Sequence, residues 1–302
     1  MDKIIQCYSC NNNDFVTYSY DYHVFKFNFK YLIKRLLKNI DFLIPNFSIF
    51  KKIKKISSNT FKGKIKVCTN CGFGEALYKP SSAKLKEYYE KFYWTSYRNK
   101  SSKFNEYYLT DLRAIHQANT IKDNIDININ EILEVGGADC CTSLYLKHQL
   151  GDNNLQIFNC DAHIWKDYSH KNNINYLSEE ELTNSKKKFQ LIISSHQLEH
   201  VNNISKCLSN FINHLKGNGY IFIEVPNTNL SYWNMPISDT PHLYFFTRKS
   251  LQQCAEKFRL DLVCMDIFGN SYKDLLDKKK QNYQIHNEEG AYLKALFKKR
   301  ND

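Results

Sequence analysis

The sequence predicts an α/β protein: a doubly wound, mostly parallel sheet preceded by a small cysteine-bearing module and a helical segment. Three observations predict it. From Glu131 onward, short apolar runs alternate with helical patterns, as parallel strands and their crossover helices do. The first run, Ile132 to Val135, carries Glu134 and enters a turn of very small residues, Gly136-Gly-Ala-Asp-Cys-Cys141, ahead of a helix over 143–150. Such a turn lets backbone N–H groups approach a ligand at the carboxyl edge of the sheet. A second run, Leu155 to Cys160, ends in Asp161, where a carboxylate can accept two hydrogen bonds from a ribose.

The remaining elements follow in order. Ile174 to Leu177 is a short strand, and Ser178-Glu-Glu-Glu181 opens a short helix with a capping box. Phe189 to Ser195 is the fourth strand. A helix from Asn203 to Leu215 leads through Lys216-Gly-Asn-Gly219 to a fifth strand, Tyr220 to Val225. Thr247 to Phe258 reads as a helix and Leu260 to Phe268 as the last clear strand. Upstream, Leu85, Tyr88, Tyr89 and Phe92 share one helical face, and a second helix runs from Lys103 to Lys122. Aromatic stripes at this spacing are usually core. Their place before the small-residue turn also suits a lid. The chain therefore divides into a cysteine module over 1–78, a helical lid over 79–130, a Rossmann-like domain over 131–270 and a basic helical tail over 271–302.

Two Cys-x-x-Cys pairs bracket the first unit, Cys7 with Cys10 and Cys68 with Cys71. Thiolates on two tight knuckles can close a tetrahedral zinc site, and Gly72 suits the second knuckle. Fifty-seven residues separate the pairs, against a usual gap of about 15–20. Within that gap Phe25, Phe27, Phe29 and Tyr31 alternate as in a strand. Leu32, Ile33, Leu36, Leu37 and Ile40 then recur at helical spacing among lysines and arginine. This basic insert, spanning about residues 20–62, can lean on an anionic membrane or a lipid-linked substrate. The preferred reading is a helical elaboration packed on the main domain with its lysines solvated.

The net charge of +11 lies largely in residues 26–66 and 278–300. A basic balance can indicate nucleic acid, but no nucleic-acid motif accompanies it. No run of about eighteen apolar residues occurs, so no membrane-spanning helix is expected. The segment Met1 to Cys7 lacks the apolar region of a signal peptide, and ten cysteines without an export signal point to a reducing cytoplasm.

Five motifs now stand in a fixed order. They are Leu133-Glu-Val-Gly-Gly-Ala-Asp139, Asp161 one strand later, Phe189-Gln-Leu-Ile-Ile-Ser-Ser-His-Gln-Leu-Glu-His-Val201, Leu215-Lys-Gly-Asn-Gly-Tyr-Ile-Phe-Ile-Glu-Val-Pro-Asn227 and His242-Leu-Tyr-Phe-Phe-Thr247. In this order they resemble a class I S-adenosylmethionine-dependent methyltransferase. The branch that looks most similar is the bacterial one of saccharide and antibiotic-sugar pathways, which often carries an N-terminal zinc module. Cys68-Thr-Asn-Cys71-Gly-Phe-Gly, with Pro80 and Tyr88-Tyr89, resembles that module too.

The resemblance implies residue roles. Glu134, Gly136 and Gly137 would support the methionine end of the cofactor. Asp161 would hold the ribose hydroxyls with Ala162 beside them, Leu177 and Ser178 would lie near the adenine, and Ser195 and His196 would close the pocket. Tyr93 and Tyr97 would line the acceptor side. The family usually has glycine where this chain has Ala138 and Cys140, and neither suits a position that needs positive φ. A nicotinamide dinucleotide would require G-x-G-x-x-G, which the turn does not match.

Methyl transfer from a sulfonium needs an in-line acceptor and removal of its proton, which points to histidine. His242 is the first candidate base and His196 the second, with Glu199 and His200 orienting the acceptor. His196-Gln-Leu-Glu-His200 formally matches a zinc-protease motif, but it follows a parallel strand where the methyltransferase pattern expects its own Leu-Glu-His. A metal on His196, Glu199 and His200 is a further alternative. In sugar C-methyltransferases that the later segment resembles, a Glu precedes the equivalent of His242. Pro241 stands there, which favours O-methylation. The leading expectation is O-methylation of a sugar, nucleotide-linked sugar or cell-surface glycan precursor. The alternatives are sugar C-methylation, a zinc-containing RNA methyltransferase or nucleic-acid-binding protein, and a non-catalytic partner with a degenerate cofactor site. The sequence does not name an oligomeric state.

Overall fold

The strands with apolar residues on both faces assemble into the central sheet. A computed structural model describes residues 6–20, 63–89, 107–233, 242–277, 282–283 and 286–301. The strand and helix expected in the basic insert lie outside the described residues, as do Phe92, Tyr93 and Tyr97. The sheet contains β4 (Glu131–Val135), β5 (Gln156–Cys160), β6 (Asn175–Leu177), β7 (Phe189–Ser195), β8 (Leu215–Pro226), β10 (Leu260–Ser271) and β11 (Gly290–Lys299). Its order is β10-β11-β8-β7-β4-β5-β6, parallel from β8 to β6. This is the Rossmann-like arrangement expected.

Alternation within the strands explains the two-sided core. Ile132, Leu191, Ile193 and Phe222 pack in one apolar cluster with Ala118, Ile121 and Leu146. Leu133, Ile192, Ile221 and Ile223 point the other way, into a cluster with Leu208, Phe211 and Leu251. Strands buried on both faces read as continuous apolar runs, as these do. Truncating one of them, such as Ile192→Ala, removes about 2–5 kcal/mol of stability.

The helices begin where side-chain caps satisfy free N–H groups. Asp111 accepts from the N–H groups of Arg113 and Ala114 at the start of α2 (Leu112–Asn124), which packs beside α3 (Cys141–Leu150). The predicted capping box opens α5 (Glu179–Asn184). Asn203 caps α6 (Ile204–Asn213), and Thr247 with Ser250 caps α8 (Arg248–Glu256). The helix expected over 103–122 starts later, after a 3-10 turn at Tyr107–Leu109.

The tail corrects the sequence expectation. Among its described residues it is not a basic helix: after the short helix Tyr272–Leu276 comes β11, inserted antiparallel between β10 and β8. Leu293, Ala295 and Phe297 enter one core cluster while Leu296 enters the other. That two-sided burial requires a strand. Lysines at 294, 298 and 299 gave the segment its helical, solvated appearance, yet Lys294 is buried and bonds to Thr120.

A second, antiparallel sheet joins β1 (Phe15–Tyr20), β2 (Gly63–Cys68), β3 (Gly74–Ala76) and β9 (Tyr244–Phe245). Three of its strands belong to the cysteine module and the fourth follows β8. The module is therefore built into the main domain through the segment after His242. Among the described residues no helix is long and apolar enough to cross a membrane.

Candidate functional site

The strand order reverses between β4 and β7, and the carboxyl ends of these strands open the crevice where α/β folds bind ligands. The turn after β4 is held by its own backbone: Gly136 N donates to Cys160 O at 2.9 Å and Cys140 N to Gly137 O at 2.7 Å. A Cβ on Gly137 would come within 2.7 Å of Glu134 Cγ, so only glycine fits there. Ala138 and Cys140 adopt φ of 49° and 54°. The two departures from the family's glycines thus keep the glycine conformation, at a cost of about 1–2 kcal/mol each.

Glu134 differs from its expected role. Its Oε2 accepts from the N–H and hydroxyl of Ser143 in the first turn of α3, and the residue is buried. Burial raises its carboxyl to about 8 against the bonds from Ser143. It anchors the turn to the next helix instead of standing open to a ligand. Asp161 lies beside the turn. Its Oδ2 accepts from Ala138 N at 2.7 Å and its Oδ1 from Ala162 N. Burial raises it to about 6, against these two bonds. Leu177 ends β6 on the same edge. The Ser178 hydroxyl accepts from Glu181 N as a helix cap, so its side chain is committed to the fold.

At the end of β7 the sequence reading missed most of the network. Ser195 Oγ accepts from Arg113 Nη2 and Gln117 Nε2, both at 2.8 Å. Arg113 Nε also donates to Glu224 Oε1 at 2.7 Å. Arg113 and Gln117 lie in a helix that reads as ordinary amphipathic sequence, and Glu224 lies inside an apolar strand. The one available signal was that acid in an otherwise apolar run.

The histidines divide into two kinds. His196, at φ 49°, sits between two fully buried carboxylates: Nδ1 is 3.1 Å from Glu199 Oε1 and Nε2 is 3.4 Å from Glu224 Oε1. Burial and Arg113 disfavour its charge, but the bonds to Glu199 and Glu224 outweigh them and raise its pKa. Glu199 and Glu224 are each held at about 2: burial pushes both up, and the neighbouring His200 and Arg113, respectively, with His196 at both, pull them down further. His242 is the opposite case, lowered to about 4 by burial against the charge of Glu199. Its ring lies 4.7 Å from that of His200, whose Nε2 is 3.7 Å from Glu199 Oε1.

The structure thus brings Glu199, His200 and His242 together, with one ligand atom of each within 4.8 Å of the others. His196 touches Glu199 but stands outside that set, which differs from the alternative metal grouping of His196, Glu199 and His200. His242 is brought in by a backbone bond from Leu243 N to Glu199 O at 2.7 Å.

The four cysteines also come together. Cys7 and Cys71 sulfurs are 3.6 Å apart and those of Cys10 and Cys68 are 3.5 Å apart. The S···S edge of a tetrahedral zinc site with Zn–S near 2.3 Å is about 3.8 Å, so the quartet fits that ion with little adjustment. Backbone turns shape both knuckles, with Asn11 N on Cys7 O and Gly72 N on Cys68 O. Gly72, at φ 73°, packs where a Cβ would strike Thr247.

A Rossmann-like sheet with a small-residue turn at its switch point, facing a carboxylate on the neighbouring strand, defines an enzyme that uses a nucleoside-bearing cofactor. The family model for a methyltransferase domain matches residues 97–265, more than half of the chain. The chain belongs to this family, as an S-adenosylmethionine-dependent methyltransferase. Among solved structures it is similar to a methyltransferase from Thermotoga maritima described as a possible histamine N-methyltransferase. That match has 12% identity and a TM-score of 0.51, and covers 72% of this chain and 100% of the other. It is also similar to magnesium protoporphyrin IX methyltransferase from Synechocystis PCC 6803, at 8% identity and a TM-score of 0.48, over 73% of this chain and 100% of that one. No curated protein matches the sequence.

Proposed function

We propose that this enzyme transfers the methyl group of S-adenosylmethionine to a hydroxyl oxygen of a sugar, nucleotide-linked sugar or glycan precursor. The observation that carries the oxygen acceptor is the Glu199–His200–His242 trio beside the cofactor crevice. The saccharide class rests on the resemblance of the motif order and the cysteine module to that branch.

In this reading Asp161 accepts the ribose hydroxyls, oriented by the N–H groups of Ala138 and Ala162. Gly136 and Gly137 leave room for the methionine end, and Leu177 borders the adenine. The S–CH₃ bond breaks as the O–CH₃ bond forms, and the sulfonium becomes a thioether. Positioning dominates such a step, and loss of the acceptor's proton completes it. His196 has carboxylates against both ring nitrogens, so it holds the pocket wall. His242 is the side chain assigned to the acceptor oxygen. The four cysteines hold a structural zinc.

Calorimetric titration with S-adenosylhomocysteine tests the cofactor site, and absence of heat at millimolar ligand overturns the reading. A mass-spectrometric screen of nucleotide sugars tests the acceptor. A methyl group on carbon, or on RNA, would overturn the hydroxyl assignment.

A further inference from the structure

We infer that Arg113 and Ser195 form a clamp for an oxyanion of the methyl acceptor, a carboxylate or a phosphate borne on the same molecule as the methylated hydroxyl. The first observation is a surplus of hydrogen-bond donors. Ser195 Oγ accepts from Arg113 Nη2 and from Gln117 Nε2, which occupies both of its lone pairs. The Gln117 amide is fixed in this sense. Thr142 Oγ1 donates to its Oε1, and its NH₂ end lies toward the buried Glu224 carboxylate, whose pKa it lowers. A carbonyl in that place would face buried negative charge. The Ser195 hydroxyl must therefore donate, and no described residue accepts from it.

Arg113 has the same surplus. Its Nε donates to Glu224 and its Nη2 to Ser195, and both hydrogens of Nη1 lack an acceptor among the described residues. The side chain is 30% exposed, so a ligand can reach them. The bond to Glu224 and the Tyr292 ring, centred 5.8 Å from the guanidinium carbon, fix the fork in advance. Such a fork beside a hydroxyl that must donate suits a carboxylate or a phosphate. The second observation is place. In the proposed function the cofactor's ribose lies at Asp161, after β5, and its methionine end at the turn after β4. Ser195 ends β7, and Arg113 reaches across it to Glu224 on β8 and Tyr292 on β11. Strand β8 is three strands from β5, about 14 Å away. The clamp stands beyond the reacting end of the cofactor, on the acceptor's side. That last assignment rests on the proposed methylation; the preference for an oxyanion does not.

Ligand-observed NMR titration of the full chain loaded with S-adenosylhomocysteine tests the clamp. The probes are glucose 1-phosphate, glucuronate and neutral glucose, in about 0.15 M chloride to screen surface lysines. At least one anionic sugar should bind about tenfold or more tighter than glucose, and which one does so tells phosphate from carboxylate. Arg113→Lys keeps a charge for Glu224 but loses the fork, and Ser195→Ala loses the hydroxyl. Each should weaken the anionic sugar about tenfold, with S-adenosylhomocysteine affinity kept within about threefold. Thermal melting checks that both variants fold, and if Arg113→Lys does not, Ser195→Ala decides. The inference is overturned if neither anion binds better than glucose, or if the folded variants bind it like wild type. It is also overturned if the variants lose S-adenosylhomocysteine and keep the sugar, because the clamp then holds the cofactor's own carboxylate. Failure of wild type to bind S-adenosylhomocysteine would sink the methyltransfer reading, and the same sugar titrations on the free chain would still decide the oxyanion site.

Discussion

The four-cysteine cluster and the Glu199–His200–His242 trio are both convergent donor sets, and they are built for opposite ends. The cysteines converge as a quartet on two knuckles, and in the proposed zinc site they leave nothing to offer a substrate. The trio has only three members and gathers about the 3-10 turn that follows the carboxyl end of β7. The first is physically linked to the second. Beyond the Cys71 knuckle, β3 pairs with β9, and Ala76 N donates to Leu243 O at 2.9 Å, one residue from His242. Thr247 Oγ1 donates to Cys71 O at 2.6 Å on the other side of β9. A closed site thus holds the strand that delivers a ligand to the open one.

Breaking the closed site has the largest expected effect. Structural zinc stabilises small peptides by roughly 10–16 kcal/mol, so Cys68→Ser should remove the metal and lower stability by several kcal/mol, or about 10 °C in Tm. Zinc content and thermal melting check this. Because β9 loses its partner, turnover should fall with it, while S-adenosylhomocysteine affinity, set at Asp161, stays within about threefold. An equal loss of both would show that the module supports the whole fold and not the acceptor side.

Within the open site, His242→Ala should lower kcat by about 10²–10⁴ at unchanged cofactor affinity. His196→Gln should act mainly on stability, by about 3–5 kcal/mol, because it removes the ring that two buried carboxylates contact. Denaturant titration beside steady-state kinetics separates the two histidines. A His196→Gln enzyme that is stable but inactive would reverse their roles.

These two sets also differ in how far the sequence exposed them. Cys-x-x-Cys is a local pattern that survives an insertion of 57 residues, so the convergence of all four cysteines was legible. Glu199, His200 and His242 were all visible as candidates at the acceptor pocket, although the alternative metal grouping joined the first two to His196, their near neighbour in the chain. The backbone bond at Leu243 brings in His242 instead. The parallel strands were legible because each is apolar on both faces. The tail was not, because its lysines imitate a solvated helix and only the sheet order shows why Lys294 can be buried.

Asp161 gives the cofactor side of the comparison a pH signature. Its carboxyl is raised to about 6 in the free protein, above its unfolded value of 3.8. The folded state therefore binds more protons between these values, and the stability that Asp161 contributes is lost as pH rises from about 4 to about 6. In the proposed site ribose hydroxyls bind the carboxylate, so affinity for S-adenosylhomocysteine should move the other way, falling up to about tenfold per unit below pH 6. Calorimetry and denaturant melts across pH 4.5–7.5 should show the two opposite slopes, and Asp161→Asn should abolish both.

The smallest effect concerns the turn itself. Ala138 holds φ 49°, and its N–H must still point at Asp161 Oδ2, 2.7 Å away. Ala138→Gly keeps that geometry and removes the Cβ clash of the left-handed region, so it should stabilise the protein by about 1 kcal/mol. Cofactor affinity should be unchanged, because the N–H and the carboxylate are already aligned. Cys140→Gly would test this less cleanly, since the Cys140 side chain is buried in the core against Ile132 and Leu146 and its loss offsets the relief. If Ala138→Gly instead weakens cofactor binding, then the strained alanine keeps the turn rigid, and the departure from glycine serves the site instead of merely being tolerated by it.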